Sequence, residues 1–129
     1  MDKKDLWLVL GSLGAALAVS TGAFGAHILE RIVSEETLIT WNKAVRYQMY
    51  HSIALILVSL LMSQSPSKDL NIAGFFFFIG ILTFSGSLYL IVFTSLNWLG
   101  YITMMGGFAF VFGWLTLIYS RFKKKTPKT

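Results

Sequence analysis

The chain has 129 residues, of which 55% are hydrophobic and only 13% charged, against roughly 25% charged residues in a typical soluble domain. Because so little charge would leave large apolar surfaces in water, the composition indicates an integral membrane protein. The net charge is +5, and the absence of cysteine excludes disulfides, thiolate metal sites and cysteine nucleophiles.

The first apolar stretch, residues 6–26, contains no charged residue. Its length suffices to cross a bilayer, which takes about 20 apolar residues. Gly11, Gly22 and Gly25 recur with alanines at three- and four-residue steps. Since small residues at this spacing let helix backbones approach closely in lipid, we predict a membrane helix with a packing face.

A cleaved signal peptide is the alternative interpretation of this stretch. Lys3 and Lys4 would form its basic region, and the "ALA" at 16–18 its cleavage site. The apolar run continues past that site to residue 26, which is longer than a typical signal core. We therefore expect the helix to be retained.

The second apolar stretch, residues 45–62, reaches the required length only if its helix starts before it enters the membrane. Ser34 followed by Glu35 and Glu36 has the pattern of a helix N-cap with acidic residues in the first turn. We therefore predict that this helix begins beside Ser34 and runs into the membrane.

A polar arc lies where this second helix enters the membrane. Because polar side chains there do not comfortably face lipid, the arc should face the bundle or snorkel to the interface. The side chains that form it fall within about 140° at 100° per residue, and they are Lys43, Arg46, Tyr47, Tyr50 and His51.

His27, at the exit of the first helix, lies on the same side of the membrane as this arc, so it and His51 are candidates for one site. One interpretation is a site for a substrate, lipid headgroup or ligand, or a metal or haem held by two histidines. The other is a hydrogen-bond network that locks the first two helices together. We favour the network and predict no metal or other cofactor, because two histidines without a carboxylate or cysteine partner make a weak metal signature.

The third and fourth apolar stretches, residues 70–93 and 99–120, are joined by a short connection that predicts an antiparallel hairpin. Ser67 and Asp69 are candidate N-caps for the third helix. Small and hydroxyl residues on both helices predict interhelical packing. The glycines assigned to packing here are Gly86, Gly106, Gly107 and Gly113.

Basic residues are concentrated on one side of the four predicted spans. The side with both termini and the loop 63–69 carries eight of the 11 Lys and Arg residues. The positive-inside rule therefore predicts cytoplasmic N and C termini. The basic tail 121–129 is typical of a membrane-surface anchor. We expect no nucleic-acid binding, because the basic residues outside this tail do not build the basic surface that nucleic-acid binding requires.

The acidic residues all lie at helix ends or in loops, so no carboxylate is expected in mid-membrane, where ion-coupled transporters use such groups. No serine, histidine and acid are spaced as a catalytic set. We predict one all-α domain over 1–129, an integral membrane four-helix bundle that is not an enzyme. It would act through self-association or association with a membrane complex. The alternatives are a small lipid- or solute-binding or transport protein and, third, a His-ligated metal or haem protein.

Four motifs in order give the chain a resemblance to a known family. They are "STGAFGAH" at 20–27, the series Trp41, Ala44, Tyr47 and His51, "FSGSLY" at 84–89, and "TMMGGFAFVFGW" at 103–114. This set resembles the YgdD/YwdK-like family of small four-helix bacterial inner-membrane proteins of unknown function, which is related to a small mitochondrial transmembrane protein of animals.

The resemblance implies a multi-pass protein of the bacterial inner membrane and adds no established activity. It also implies that His27, Tyr47 and His51 form one shared feature with residues 84–89 in the outer half of the bundle. Met104 stands where the family pattern has a proline after the threonine. A kink near the outer end of the fourth helix is therefore in doubt.

Overall fold

The computed structural model describes residues 1–123, whose regular secondary structure is entirely helical. The all-α prediction is confirmed. A 3-10 turn, Leu29–Arg31, follows the first helix, and a π-helical segment, Ile81–Ser85, makes α3 and α4 one continuous helix. The α-helices are α1 (Lys3–His27), α2 (Glu35–Gln64), α3 (Lys68–Gly80), α4 (Gly86–Thr94) and α5 (Leu99–Phe122).

Four parts of the described chain are long and apolar enough to cross a membrane. Each predicted span lies within one of them, and the one formed by α2 has the lowest mean hydropathy. This agrees with a helix that starts outside the apolar layer. Residues 124–129 of the basic tail, with Lys124, Lys125 and Lys128, lie outside the described residues. The crossing segments are Lys3–Arg31, Glu35–Gln64, Lys68–Thr94 and Leu99–Phe122.

Local hydrogen bonds set the starts of the second and third membrane helices. The Ser34 hydroxyl accepts a hydrogen bond from the Thr37 N–H at 3.2 Å, as predicted for the cap of α2. The Ser67 hydroxyl accepts from the Leu70 N–H at 3.1 Å and caps α3 in the same way. We call the end of the bundle with residues 28–34 and 95–98 the loop end, and the end with residues 1–2 and 65–67 the terminal end.

The first two helices form an antiparallel pair in close contact. A Cβ added to Gly11 would lie 2.7 Å from the Ser52 carbonyl oxygen, and one on Gly25 would lie 2.7 Å from the Trp41 ring. These distances leave no room for a side chain, so the Ser52 backbone and the Trp41 ring of α2 contact the backbone of α1 directly. Hence α1 packs along α2 from Gly11 to Gly25.

The continuous helix α3–α4 lies between α2 and α5. Phe77, fully buried, fills the space in front of Gly113, where an added Cβ would lie 2.6 Å from its ring. Trp7 of α1 covers Gly74 and donates through Nε1 to the Asn71 side chain at 3.0 Å. The core therefore joins α1, α3 and α5 with α2, which contributes Ala54, Leu55, Val58 and Met62.

The remaining predicted packing glycines divide into three kinds. Gly106 lies directly against the backbone of Phe84, while Gly22 and Gly107 have looser neighbours at 3.3 and 3.8 Å. For Gly86 the prediction of a packing role is wrong, because a Cβ there would meet no atom within 4 Å. On either side of Gly86, Ser85 at the end of the π segment and Ser87 in α4 are buried against other helices. Gly86 therefore faces neither α2 nor α5 closely.

Candidate functional site

A polar network inside the bundle joins α1, α2 and α4 around Gln48. The Gln48 amide nitrogen donates to the Gly14 carbonyl at 2.9 Å, and the Gln48 amide oxygen accepts from the Tyr89 hydroxyl at 2.7 Å. That hydroxyl also lies 3.2 Å from the Thr21 hydroxyl, and Trp41 donates through Nε1 to the Thr21 carbonyl at 2.9 Å. Buried amide and hydroxyl groups are thus paired across three helices, as an apolar setting requires.

Sequence reasoning missed Gln48 and Trp41 as members of the bundle-facing side of α2. A signal existed, because Trp41, Ala44, Gln48, Ser52 and Leu55 recur at three- and four-residue steps and are all buried.

His51 is buried in the middle of the bundle, with 5% of its surface exposed. The Trp114 indole donates to its Nε2 at 3.1 Å, and its Nδ1 lies 2.8 Å from the Tyr47 carbonyl oxygen. Because an indole N–H can only donate, Nε2 carries the lone pair and Nδ1 carries the proton. Its ring also stacks on Phe110 with centroids 3.5 Å apart. Both ring nitrogens are therefore committed to protein contacts.

His27 and His51 do not form one site, which corrects the expectation that placed them together. His27 is exposed at the last residue of α1, and nearby Gly25 contacts Trp41. His51 follows Trp41 by ten residues, which is about 15 Å along the helix axis. His51 also has no free lone pair for a metal. Within residues 1–123, no group of three or more His, Asp or Glu side chains is placed to hold a metal ion.

The feature implied by the resemblance is likewise divided. Gln48 and Ser52, on either side of His51, contact Gly14 near the middle of α1, so His51 lies at mid-bundle and not in the outer half. Residues 84–89 do meet α2, because Phe84 packs on Tyr47 with centroids 4.6 Å apart and Tyr89 binds Gln48. His27 takes no part in these contacts.

The polar arc of α2 faces two ways. His51 turns inward, while Lys43, Arg46, Tyr47 and Tyr50 are exposed on the outside of the bundle. We call these four residues the basic–aromatic face. The rings of Tyr47 and Tyr50, 37% and 54% exposed, lie 5.9 Å apart. Within residues 1–123, neither Lys43 nor Arg46 forms an ion pair or a side-chain hydrogen bond.

The depth of this face follows from helix geometry. Lys43 and Arg46 follow Glu35, the first residue of α2, by eight and eleven residues, or about 12 and 16 Å along its axis. The α4 helix ends near this level, at Thr94, five residues after Tyr89, the partner of Gln48. Its two basic residues therefore lie on the lateral surface of the bundle, two to three helical turns from the start of α2 and near the level at which α4 ends.

Comparison with known proteins finds relatives over nearly the whole chain. The family described as "Protein of unknown function (DUF423)" matches residues 21–107. A UPF0382 membrane protein of Staphylococcus aureus (strain bovine RF122 / ET3-1) is 48% identical over 118 residues, covering 92% of this chain and 96% of the relative. UPF0382 membrane proteins of Staphylococcus haemolyticus (strain JCSC1435) and Staphylococcus epidermidis (strain ATCC 12228 / FDA PCI 1200) are 47% and 45% identical with the same coverage. No solved structure matches.

Proposed function

Because the chain belongs to the DUF423 family of membrane proteins of unknown function, we propose its function from its own exposed chemistry, as a non-enzymatic lipid-binding protein of the membrane. The basic–aromatic face carries this proposal. Charged side chains on membrane-spanning helices are rare and mark functional sites. Lys43 and Arg46 have no partner within residues 1–123, so they are available to groups in the surrounding bilayer.

The chemistry of the face fits the phosphate of a lipid headgroup. The Arg46 guanidinium binds phosphate oxygens through two parallel hydrogen bonds, and the Lys43 ammonium adds a point charge. Both side chains have long apolar stems that let the charged end reach towards the headgroups. Tyr47 and Tyr50 present an apolar ring with a polar tip, as aromatic residues at membrane interfaces do.

The glycine contacts weigh against the self-association hypothesis in the form that sequence alone suggests. Gly11, Gly25, Gly106 and Gly113 all contact other helices of the same chain. These small-residue faces are therefore occupied within the bundle and are not free for a partner. Association with a second copy or a larger complex stays a prediction that would need another surface.

The non-enzymatic part of the proposal is supported by the side chains available for chemistry. Both nitrogens of His51 are hydrogen-bonded to protein groups. The acidic side chains within residues 1–123 lie in loops or in the first turns of helices, away from His51. In the part of the chain that the structure describes, His51 therefore has neither a nucleophile nor a carboxylate hydrogen-bonded to its ring.

The test compares lipid retention by the full chain and by the double variant Lys43→Gln/Arg46→Gln. Detergent-solubilised protein is titrated with phosphatidylglycerol, and bound lipids are counted by native mass spectrometry. At about 1 kcal/mol per basic residue near anionic headgroups, the double variant should bind its tightest lipid about 30-fold more weakly.

The matched control is Arg31→Gln, which removes a charge at the same end of the bundle but outside the face. It should retain phosphatidylglycerol as the wild type does. An unchanged melting temperature would establish that the double variant is folded. Wild-type retention by a folded double variant would overturn the proposal.

A further inference from the structure

An open cavity of about 640 Å³ lies at the terminal end, where α3 begins and α5 ends. It is lined by residues 65–70 on one side and residues 120–123 on the other. The start of α3 and the end of α5 thus build its walls, apart from the network around Gln48 and the basic–aromatic face.

The cavity is lined by three basic side chains and one carboxylate. Lys123 binds Asp69 through an ion pair of 3.2 Å, so the carboxylate is locally neutralised. Lys68 and Arg121 are exposed and have no ion pair or side-chain hydrogen bond within residues 1–123. Two unpaired positive charges therefore face one concave space from opposite walls.

Neutral donors at the same wall complement these charges. The Ser67 hydroxyl oxygen accepts the N–H of Leu70, so its own proton is free to donate. The N–H groups of Lys68 and Asp69 open α3 and precede its first intrahelical bond. Such donors suit an anion with several oxygens and add to the attraction of the basic side chains that line the cavity.

We propose that this cavity binds a phosphate group. The phosphate belongs either to a phospholipid headgroup of the leaflet at the terminal end or to a soluble phosphate compound. The Arg121 guanidinium and the Lys68 ammonium hold it from the two walls, while the Asp69–Lys123 pair ties α3 to α5 and keeps the walls together.

This site is independent of the basic–aromatic face. The terminal end of α2, at Gln64, follows Arg46 by 18 residues, which is about 27 Å of helix. The two sites therefore lie near opposite leaflets, and a variant in one leaves the other intact. The failure of either proposal is distinguishable from failure of the other.

The test uses the full chain in the Lys43→Gln/Arg46→Gln background and in the wild-type background. Lys68→Gln/Arg121→Gln is compared with Lys3→Gln/Lys4→Gln, which removes the same charge at the same end but outside the cavity. Phosphatidylglycerol binding is followed by native mass spectrometry, with and without millimolar inorganic phosphate. We expect the cavity variant to bind about 30-fold more weakly and the control within about twofold of its background.

The outcomes separate the sources of the phosphate. If inorganic phosphate competes with phosphatidylglycerol, the site binds a soluble phosphate compound. If it does not compete, the site binds a lipid headgroup. Equal weakening in the cavity and control variants would show non-specific attraction and overturn the proposal. No weakening in a cavity variant of unchanged melting temperature would also overturn it.

Discussion

His51 is an ionisable side chain in mid-membrane whose two ring nitrogens are both used by the protein. Such residues are by default candidates for ligand or proton binding. Here Nδ1 donates within α2 and Nε2 accepts from Trp114 of α5, so the ring acts as a bridge between two helices. Its stacking on Phe110 adds an apolar contact to the same helix.

A double-mutant cycle tests this bridge. His51→Phe leaves the Trp114 indole N–H without an acceptor in an apolar setting, and Trp114→Phe removes the donor. Because hydrogen bonds between membrane helices contribute about 0.6 to 2 kcal/mol, we expect a coupling of about 1 kcal/mol in the free energy of unfolding. The four proteins would be unfolded by SDS titration from mixed micelles.

The control for this cycle is Tyr50→Phe paired with Trp114→Phe. Tyr50 is exposed and forms no hydrogen bond with Trp114, so this pair should be additive. Coupling near zero between His51 and Trp114 would contradict the bridge.

The sequence shows which residues of α2 are polar, but it does not show which residues they contact. The polar residues of α2 are visible in the sequence, and so is the depth at which they occur. The partner of His51 lies 63 residues away on α5. Gly106 and Gly113 mark the packed face of α5, but Trp114 is partly exposed among other large apolar residues, and sequence alone does not show which of them meets His51.

At the scale of the helix, glycine positions decide which faces meet. Gly113 lies against the Phe77 ring, and a Cβ there would approach it to 2.6 Å. Phe77 is itself fully buried, so it cannot move aside without disturbing the core. Gly86 has no such neighbour. The two glycines therefore form a natural pair for comparison.

We predict opposite effects of alanine at these two positions. Gly113→Ala should lower stability by about 1 to 3 kcal/mol, as overpacking of a core does. Gly86→Ala should leave it unchanged or raise it by up to about 1 kcal/mol, because alanine favours the helix. Thermal unfolding in detergent, followed by tryptophan fluorescence, measures both. Equal melting temperatures in the two variants would contradict this assignment.

The helices themselves could be predicted, because length, apolar composition and the caps at Ser34 and Ser67 are local features. The π-helical segment Ile81–Ser85 could not. An extra residue in a helical turn leaves no mark in an apolar sequence. Gly86, the first residue of α4, directly follows this segment, and a Cβ there would meet no atom within 4 Å.

For the whole molecule, the charge distribution leads to a prediction of topology. Of the described basic residues, Lys3, Lys4, Lys68, Arg121 and Lys123 lie at the terminal end, and Arg31, Lys43 and Arg46 towards the loop end. The positive-inside rule therefore places the terminal end in the cytoplasm.

Reporter fusions test this orientation. A green fluorescent protein fused after Thr129 should fluoresce, because it folds in the cytoplasm. Alkaline phosphatase fused within 28–34 should be active, because that segment lies on the other side. An inactive phosphatase in that loop together with a dark C-terminal fusion would reverse the topology. It would also exchange the leaflets assigned to the two lipid-facing sites.

At this scale the class, the number of crossings and the antiparallel order could be predicted from sequence. The site could be predicted only in part. The arc on α2 combined residues that face lipid with one that faces the core, since 140° of a helix surface exceeds the width of one contact. The cavity at the terminal end could not be predicted from sequence, because it forms where residues 65–70 and the end of α5 come together.

The order of contacts along the chain bears on how the protein is made. Helix α1 packs chiefly on α2, and α5 chiefly on the α3–α4 helix, so each half of the chain is an antiparallel hairpin closed by its own glycines. The halves contact each other through Trp7 on Gly74 and Tyr89 on Gln48, among others. During synthesis the first hairpin can therefore enter the bilayer and pair before the second emerges from the ribosome. Assembly then reduces to docking two preformed units, and Gln48, whose amide nitrogen already pairs with Gly14 inside the first hairpin, gains the Tyr89 hydroxyl only at that docking step.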